Sequence, residues 1–541
     1  MKINLKNQGI QHIIFILLVL ISAVIFAEIF FYYGLIIPEE HTFVDYSESV
    51  ENLFKMFNDQ FNSGYYAMPW DTLSAFPQGI ISLGYSYFDT QLINIQKANF
   101  YTNYSLLLLS TYIFIFYITK STWYAFIGCI ILLSSTLFLK ASIMYSPRVS
   151  HFVLYAAGFV VFTEYLKNKN KILIFYWVLI VLFSWSISMN PANALSAIIM
   201  MTLSSFIYLK YQQKVPIDKK TVFCGVLLLT ISFVLFLPVF FIYYNTFVIG
   251  ISANSGTVTN ALTSINVLDV LLFHGAWWEN IGYGEIQYFQ TFNDLNSISR
   301  NILFIFMMLT VSVILFIDSK VIILVSISII SLTLLLLISL FPFLLEFDFI
   351  RIIFTPFREP WSKFNQGYIL FFTAAIVTSL LVIENKFKSK STYFLLWRIF
   401  ILIMVCYLSY PIVSKEYLQD KQSPNFFPKE KITSMQLANQ YALDNGVNCV
   451  LIDNTLGYKN YKLEKVADIL FNDLIIISEE RYQRFGGNKP NNIIQKECSK
   501  ELLLVSIRPV YILKHFYDNL NILYLNNSAR TNVSIFSYTR N

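Results

Sequence analysis

Two kinds of side chain stand where they could do chemistry. Asp45, in Phe43-Val-Asp-Tyr-Ser47, and Asp71, in Met68-Pro-Trp-Asp71, bring carboxylates into a polar stretch from His41 to Pro77 that follows the first apolar run. A carboxylate beside a hydroxyl can take its proton as the oxygen attacks, which is general-base catalysis. The second kind is cationic. Phe354-Thr-Pro-Phe-Arg-Glu-Pro-Trp-Ser-Lys-Phe364 holds Arg358 and Lys363 among aromatic and apolar residues, Arg351 lies just before it, and Arg148 closes Tyr145-Ser-Pro-Arg148. The fixed fork of a guanidinium matches phosphate oxygens and an ammonium adds a point charge, so this set suits a phosphate. His274 and Glu279 flank Trp277-Trp278, with Glu285 beyond, and paired indoles offer a face on which a sugar ring can stack.

Each of these residues also has a plainer use. Asp45 has Glu48 three residues on, the spacing of a helix capping box. Asp71 after Pro-Trp suits a turn. Arg358 can pair with its neighbour Glu359, and Arg148 can lay its stem along lipid and reach the interface. Trp361 and the Trp277-Trp278 pair suit the aromatic belt of a membrane protein.

Composition says what must position them. Of 541 residues, 56% are hydrophobic and only 13% charged, against roughly 25% charged in a soluble domain. The chain is therefore expected to be an α-helical polytopic membrane protein. Its formal charge of +6 does not point to nucleic acid, because Lys and Arg fall mainly in short links between apolar runs, where the positive-inside rule puts them. Five cysteines form no CxxC pair and share no metal-site spacing with His, so neither a metal nor another cofactor is expected. Cys129, Cys224 and Cys406 lie in apolar runs as core fillers. Cys449 and Cys498 lie outside them and are candidates for a disulfide in an oxidising compartment.

The first run, about His12 to Tyr33, is long enough to cross roughly 30 Å of hydrocarbon. No small-residue cleavage site follows it, so it reads as a retained helix. With Lys2 and Lys6 inside, the segment 38–100 becomes the first outside loop. Later runs alternate: Tyr101–Thr119, Trp123–Leu139, His151–Leu166, Ile172–Met189, Ala194–Leu209, Val222–Phe247, Ile302–Ile317, Val321–Leu345, Gly367–Ile383 and Trp397–Val413. That makes about eleven spans, with Lys gathered at the ends taken as cytoplasmic. The cationic stretch around Arg358 then lies outside, where positive charge is disfavoured. Residues 1–413 form the membrane domain. After it, Pro424 and Pro428 mark a linker, and residues 414–541 carry short β-like runs (Cys449–Asp453, Leu474–Ile477, Leu502–Ser506) and a helical pattern over Ile432–Asn445. They predict a small extracytoplasmic α/β domain, with no glycine-rich loop for a nucleotide.

This order of features resembles the GT-C superfamily of integral-membrane glycosyltransferases: a long first outside loop with an early acidic residue, a later outside loop with basic residues, and a C-terminal domain outside. The resemblance is architectural and covers most of the chain. It implies a polyprenyl-phosphate-linked sugar as donor, an O-antigen or other envelope glycan as acceptor, inversion at the sugar, and a bacterial inner membrane as the location. Asp45 matches the family's first-loop catalytic acid, with Asp71 the second choice; Arg358, Lys363, Arg148 and Arg351 would hold the donor phosphate. His274, Trp277, Trp278 and Glu279 would hold acceptor or sugar. The sequence departs from the family in lacking a WWDYG-type motif, and it has no adjacent acidic pair in the second loop, so no metal is expected in the reaction. A lipid-linked saccharide flippase or transporter, for which Glu28 is the main charge within an apolar run, and a polysaccharide polymerase stay open as alternatives.

The topology predicts that a reporter fused after Val413 is active outside the cytoplasm and one fused after Lys171 inside it. The opposite pattern in a paired phosphatase and fluorescent-protein fusion assay would invert every site assignment above.

Overall fold

The computed structural model describes residues 5–30, 35–36, 84–85, 87–88, 92–133, 146–184, 191–251, 295–340, 360–389, 391–413, 426–427, 429–453, 471, 474–478, 498–499, 501–506, 520–524 and 534–539. In chain order the apolar helices are α1 (Leu5–Phe30), α2 (Leu92–Thr119), α3 (Thr122–Leu133), α4 (Ser146–Asn168), α5 (Ile172–Phe183) and α6 (Pro191–Ile207), the last continued by a π turn, Tyr208–Gln212. Then come α7 (Lys219–Ile251), α8 (Leu295–Leu315), α9 (Ser319–Leu340), α10 (Pro360–Phe387) and α11 (Ser391–Val413). Among the described residues six stretches are long and apolar enough to cross a membrane, namely Gly9–Glu28, Phe100–Thr119, Asn193–Gln212, Lys219–Leu237, Phe364–Phe387 and Ser391–Ser409. Four shorter apolar helices lie beside them. The protein is thus a mostly helical chain with membrane-length spans.

Local signals explain where helices begin. Pro191 and Pro360 stand at the first position of α6 and α10, and Pro147 is second in α4; proline lacks an amide hydrogen that the first turn does not need. For this reason α4 and α10 start earlier than the apolar runs, and Arg148 and Lys363, expected in links, lie in first helical turns. Asp218 and Asp318 cap α7 and α9, accepting from the amides of Thr221 (2.7 Å) and Lys320 (2.8 Å). That bonding holds the Asp218 carboxyl below the usual carboxylate range. At the other ends, Lys120 and Lys169 adopt φ of 56° and Lys214 53°, a left-handed cap in which a cation meets the negative end of a helix dipole.

Contacts between helices fix their relative direction. His12 meets Tyr112 and Phe26 meets Tyr104, so α1 and α2 are antiparallel. Phe114 packs on Phe159 and Tyr117 bonds Glu164, so α2 and α4 run parallel. Tyr155 pairs with Ser196 and Thr163 with Ser205, so α6 is parallel to both. A notional side chain on Gly367 would lie 3.1 Å from the Tyr155 ring, and Phe159 packs on Phe371, so α10 joins the same set. At the centre, Phe114, Phe159 and Phe371 form a triangle with every pair of ring centroids 5.3 Å apart and all three side chains fully buried.

The remaining described elements follow α11. Strand β1 (Leu35–Ile36), after α1, pairs antiparallel with β2 (Phe426–Phe427) and ties the two segments together. Helix α12 (Lys429–Asp444) ends where Gly446 takes φ +68° and Val447 donates back to the Ala442 carbonyl, the Schellman arrangement that needs glycine. A five-stranded sheet comprises β3 (Cys449–Asp453), β4 (Ile475–Ser478), β5 (Glu501–Ser506), β6 (Leu520–Tyr524) and β7 (Ser534–Thr539) in the order β4-β3-β5-β7-β6. Strands β3, β4 and β5 are parallel; β7 is antiparallel to β5, and β6 to β7. Cys449 and Cys498 form the expected disulfide, with Cα atoms 5.5 Å apart. Tyr441 of α12 donates to Glu501 at 3.0 Å and so binds helix to sheet.

Deleting the ring at the centre of the triangle, Phe159→Ala, is expected to cost about 3–5 kcal/mol. Thermal unfolding in detergent should show it as a large fall in midpoint, whereas Phe175→Ala, at an exposed ring on α5, should change it little.

Candidate functional site

The parallel set has two unlike ends. At the C-terminal ends, one half-buried and one buried carboxylate, Glu164 and Glu384, are fully engaged. Tyr117 donates to Glu164 at 2.8 Å, Gln213 donates to Tyr117 at 2.6 Å, Asn168 also reaches Glu164, and the Lys120 ammonium lies 4.5 Å over the Tyr117 ring. Nearby, Glu384 of α10 is only 2% exposed and takes a two-pronged bond from Arg398 of α11 (3.1 and 3.2 Å) plus the Tyr124 hydroxyl of α3 (2.9 Å). Arg398 lies 4.3 Å over the Phe394 ring. A carboxylate in this setting is costly unless each oxygen is met, and here each is met. These networks read as fasteners.

The N-terminal ends of α4, α6 and α10 differ. His151 and Tyr155 of α4, Ser196 of α6, Ser331 of α9 and Asn365 and Gln366 of α10 are all buried to 1% exposure or less. The five helix pairs α4/α6, α4/α10, α6/α10, α9/α10 and α6/α9 are in contact, so these groups make one polar seam between helices. Gly367 lets it close: a Cβ there would stand 3.0 Å from the Ser331 hydroxyl and 3.1 Å from the Tyr155 ring. The rings of His151 and Tyr155 are 5.1 Å apart, and Tyr155 is hydrogen-bonded to Ser196. Among the described residues, both amide atoms of Asn365, the Ser331 hydroxyl and the side-chain amide oxygen of Asn193 in the first turn of α6 find no partner. A carboxamide left unmet inside an apolar bundle is costly, so this end is built at the expense of stability.

Register places the expected cations relative to the seam. The pairs Tyr155/Gly367 and Phe159/Phe371 keep one offset between α4 and α10. Continued one turn towards the N-termini, it sets Lys363 level with His151, and Arg148 level with the start of α10. Two parallel helix N-termini, each with a basic residue in its first turn, thus stand side by side above a neutral polar seam. Helix N-termini carry partial positive charge and free amides, so the combination favours an anion. Among the described residues no cluster of His, Cys, Asp and Glu could hold a metal ion.

Of the other expected site residues, Asp45, Asp71, Arg351, Arg358, His274, Trp277, Trp278 and Glu279 lie outside the described residues. Glu28 is paired with Lys97 at 2.9 Å and accepts from Tyr101, so it belongs to an α1–α2 junction and is half exposed. The sequence reading missed His151, Asn193, Ser331, Asn365 and Gln366. Their signal was there, as an imidazole and a hydroxyl inside apolar runs (His151, Ser331) and as amides just before the start of others (Asn193, Asn365, Gln366). No family of known proteins matches the chain, and no characterised protein matches it either.

Asn365→Leu keeps volume and removes the unmet amide. It is expected to raise unfolding stability by about 1–3 kcal/mol, read as a higher thermal midpoint in detergent; a fall would mean that the amide is engaged in the folded protein.

Proposed function

We propose that the chain is a GT-C-type glycosyltransferase of about eleven spans that moves a sugar from a polyprenyl-phosphate donor to an envelope glycan on the extracytoplasmic side of a bacterial inner membrane. The observation that supports this reading is the shared backbone level of the first turns of α4 and α10, the turns in which Arg148 and Lys363 stand, beside a membrane-length helix. Orientation has separate support. Lys120, Lys169 and Lys214 end three parallel helices on one side, as cytoplasmic lysines do, and the Cys449–Cys498 bridge suits an oxidising compartment.

On this reading no nucleotide sugar is available at the site, so the donor arrives already activated by its lipid phosphate. Asp45 takes the proton of an acceptor hydroxyl as its oxygen attacks the anomeric carbon. The bond from that carbon to the phosphate oxygen breaks, and the phosphate departs with the electron pair. Arg358, Lys363, Arg148 and Arg351 with two helix N-termini hold the growing charge. Asp71 is the alternative base, and His274, Trp277, Trp278 and Glu279 would face sugar or acceptor. One displacement inverts the anomeric centre, and no metal takes part.

The seam also favours a second reading, a flippase for lipid-linked saccharides, since buried polar groups between spans mark transport paths as well. Two assays separate them. In the transferase, Asp45→Asn lowers transfer from radiolabelled polyprenyl-phosphate sugar by about 10²–10⁴-fold with donor binding intact. Lys363→Gln weakens donor binding as well as turnover, because a phosphate contact exists before the reaction and strengthens through it. If Asp45→Asn transfers at the wild-type rate while proteoliposomes flip the labelled lipid, the flippase reading replaces this one.

A further inference from the structure

The end of the bundle away from the seam carries charge that the transfer chemistry does not use. Its links are short: Lys120 and Ser121 join α2 to α3, residues 169–171 join α4 to α5, and residues 316–318 join α8 to α9. Membrane-length stretches stop at Thr119 and Gln212, so these links stand at the level where a bilayer has its headgroups. Among the described residues the carboxylates at this end are Glu164, Asp218, Asp318 and Glu384, and each is engaged within the protein. Glu164 and Glu384 accept from Tyr117 and Arg398, and the two aspartates cap α7 and α9.

The lysines have no such answer. Among the described residues no carboxylate lies within ion-pair distance of Lys120, Lys167 or Lys320; the first two are exposed and the third half-buried. Three links bring them to one place. Lys120 lies 4.5 Å over the Tyr117 ring, and Tyr117 donates to Glu164, three residues before Lys167 in α4. Tyr117 also meets Tyr208 of the π turn, with ring centroids 6.1 Å apart, and α9, whose first turn holds Lys320, packs on that turn. Partial burial holds the Lys120 ammonium below the usual lysine range; Glu164 opposes this, and Lys167 and Lys320 add to it. Like charges gathered from separate links repel, and the fold is the less stable for it until an anion stands among them.

We propose that Lys120, Lys167 and Lys320 form a binding site for a phospholipid whose headgroup carries two phosphates. Three ammonium groups call for more than one negative charge, and basic pockets between helix ends hold headgroups of this kind. Phe316 and Ile317, in the link that precedes Lys320, are exposed, which gives acyl chains a surface beside the cations that a soluble anion would not need. Lysines that only orient a chain in the membrane can stand anywhere along its links; their meeting at one place is what marks a site. The site rests on neither the transferase nor the flippase reading, and only the leaflet that supplies the lipid follows from the orientation proposed above.

The test uses the full-length chain in detergent, with tetraoleoyl cardiolipin as the two-phosphate probe and phosphatidylglycerol for comparison. Native mass spectrometry is expected to show cardiolipin retained about tenfold more tightly than phosphatidylglycerol. The triple variant Lys120→Gln, Lys167→Gln, Lys320→Gln should lower cardiolipin affinity about a hundredfold, at about 1 kcal/mol for each lysine near a headgroup. A second triple, Lys219→Gln, Lys220→Gln, Lys388→Gln, removes the same charge from other links and should change it little. On wild type, which needs no variant to fold, cardiolipin should slow amine-reactive labelling of Lys120, Lys167 and Lys320 but not of Lys219. Equal losses in the two triple variants would mean general attraction to a basic face and would overturn the site. Equal affinity for the two lipids, or equal protection of the three lysines by inorganic pyrophosphate, would overturn it as well.

Discussion

The packing of Phe114, Phe159 and Phe371 against one another is the contact on which the arrangement of the membrane helices turns. Each ring comes from a different helix, α2, α4 and α10, and each pair meets edge to face at the same separation. Within lipid there is little hydrophobic gain in bringing helices together, so close packing and hydrogen bonds must hold them. Three interlocked rings cannot slide past one another without losing two contacts at once. They therefore fix the axial level of α10 against α4, and that level decides which first-turn residues stand together.

From this fixed point the bundle is asymmetric along its length. Towards the C-terminal ends of the parallel helices, Glu164 and Glu384 are met by hydroxyl, amide and guanidinium groups, and the bundle gains rigidity from charges that would otherwise be costly. Towards the N-terminal ends the described buried groups are uncharged amides, hydroxyls and an imidazole, and among the described residues Asn365, Ser331 and Asn193 have atoms without a partner. Stability alone would have favoured leucine or alanine at those positions. On the function we propose, a polar ligand at the mouth would give such groups a use, and the seam would leave the anion to the helix ends and their basic residues.

How far this was legible in the sequence depended on the range of the interaction. Apolar runs and terminal lysines are local signals, and membrane-length helices are found at intervals between Gly9 and Ser409. The disulfide was also within reach, because Cys449 and Cys498 are the cysteines outside apolar runs. Arg148 and Lys363 stand out in the sequence as cations in odd places, but their helical setting does not, since Pro147 and Pro360 suit a link as well as a first helical turn. The seam could not be read at all in this way. Asn365, Ser331 and His151 come from three different helices, and only the ring-to-ring register brings them to one level. Asp45, Asp71 and the Trp277-Trp278 pair lie outside the described residues, so their roles rest on sequence and resemblance.

The two ends of the chain are joined by more than sequence. Strand β1 follows α1 and strand β2 follows α11, and their pairing links the start of the first polar stretch to the linker before the sheet. If that stretch is the first outside loop, the linker is outside with it, since paired strands cannot lie on opposite faces of a bilayer. On the proposed count of about eleven spans the number between the two strands is even, which requires the same thing, because α1 then leaves the bilayer on the side where α11 leaves it. On the orientation we propose, the disulfide lies on that side too, in an oxidising compartment, and the left-handed lysine caps lie on the other. Strand pairing, span parity, thiol chemistry and charge are independent of one another, and the orientation we propose is the one that satisfies all four.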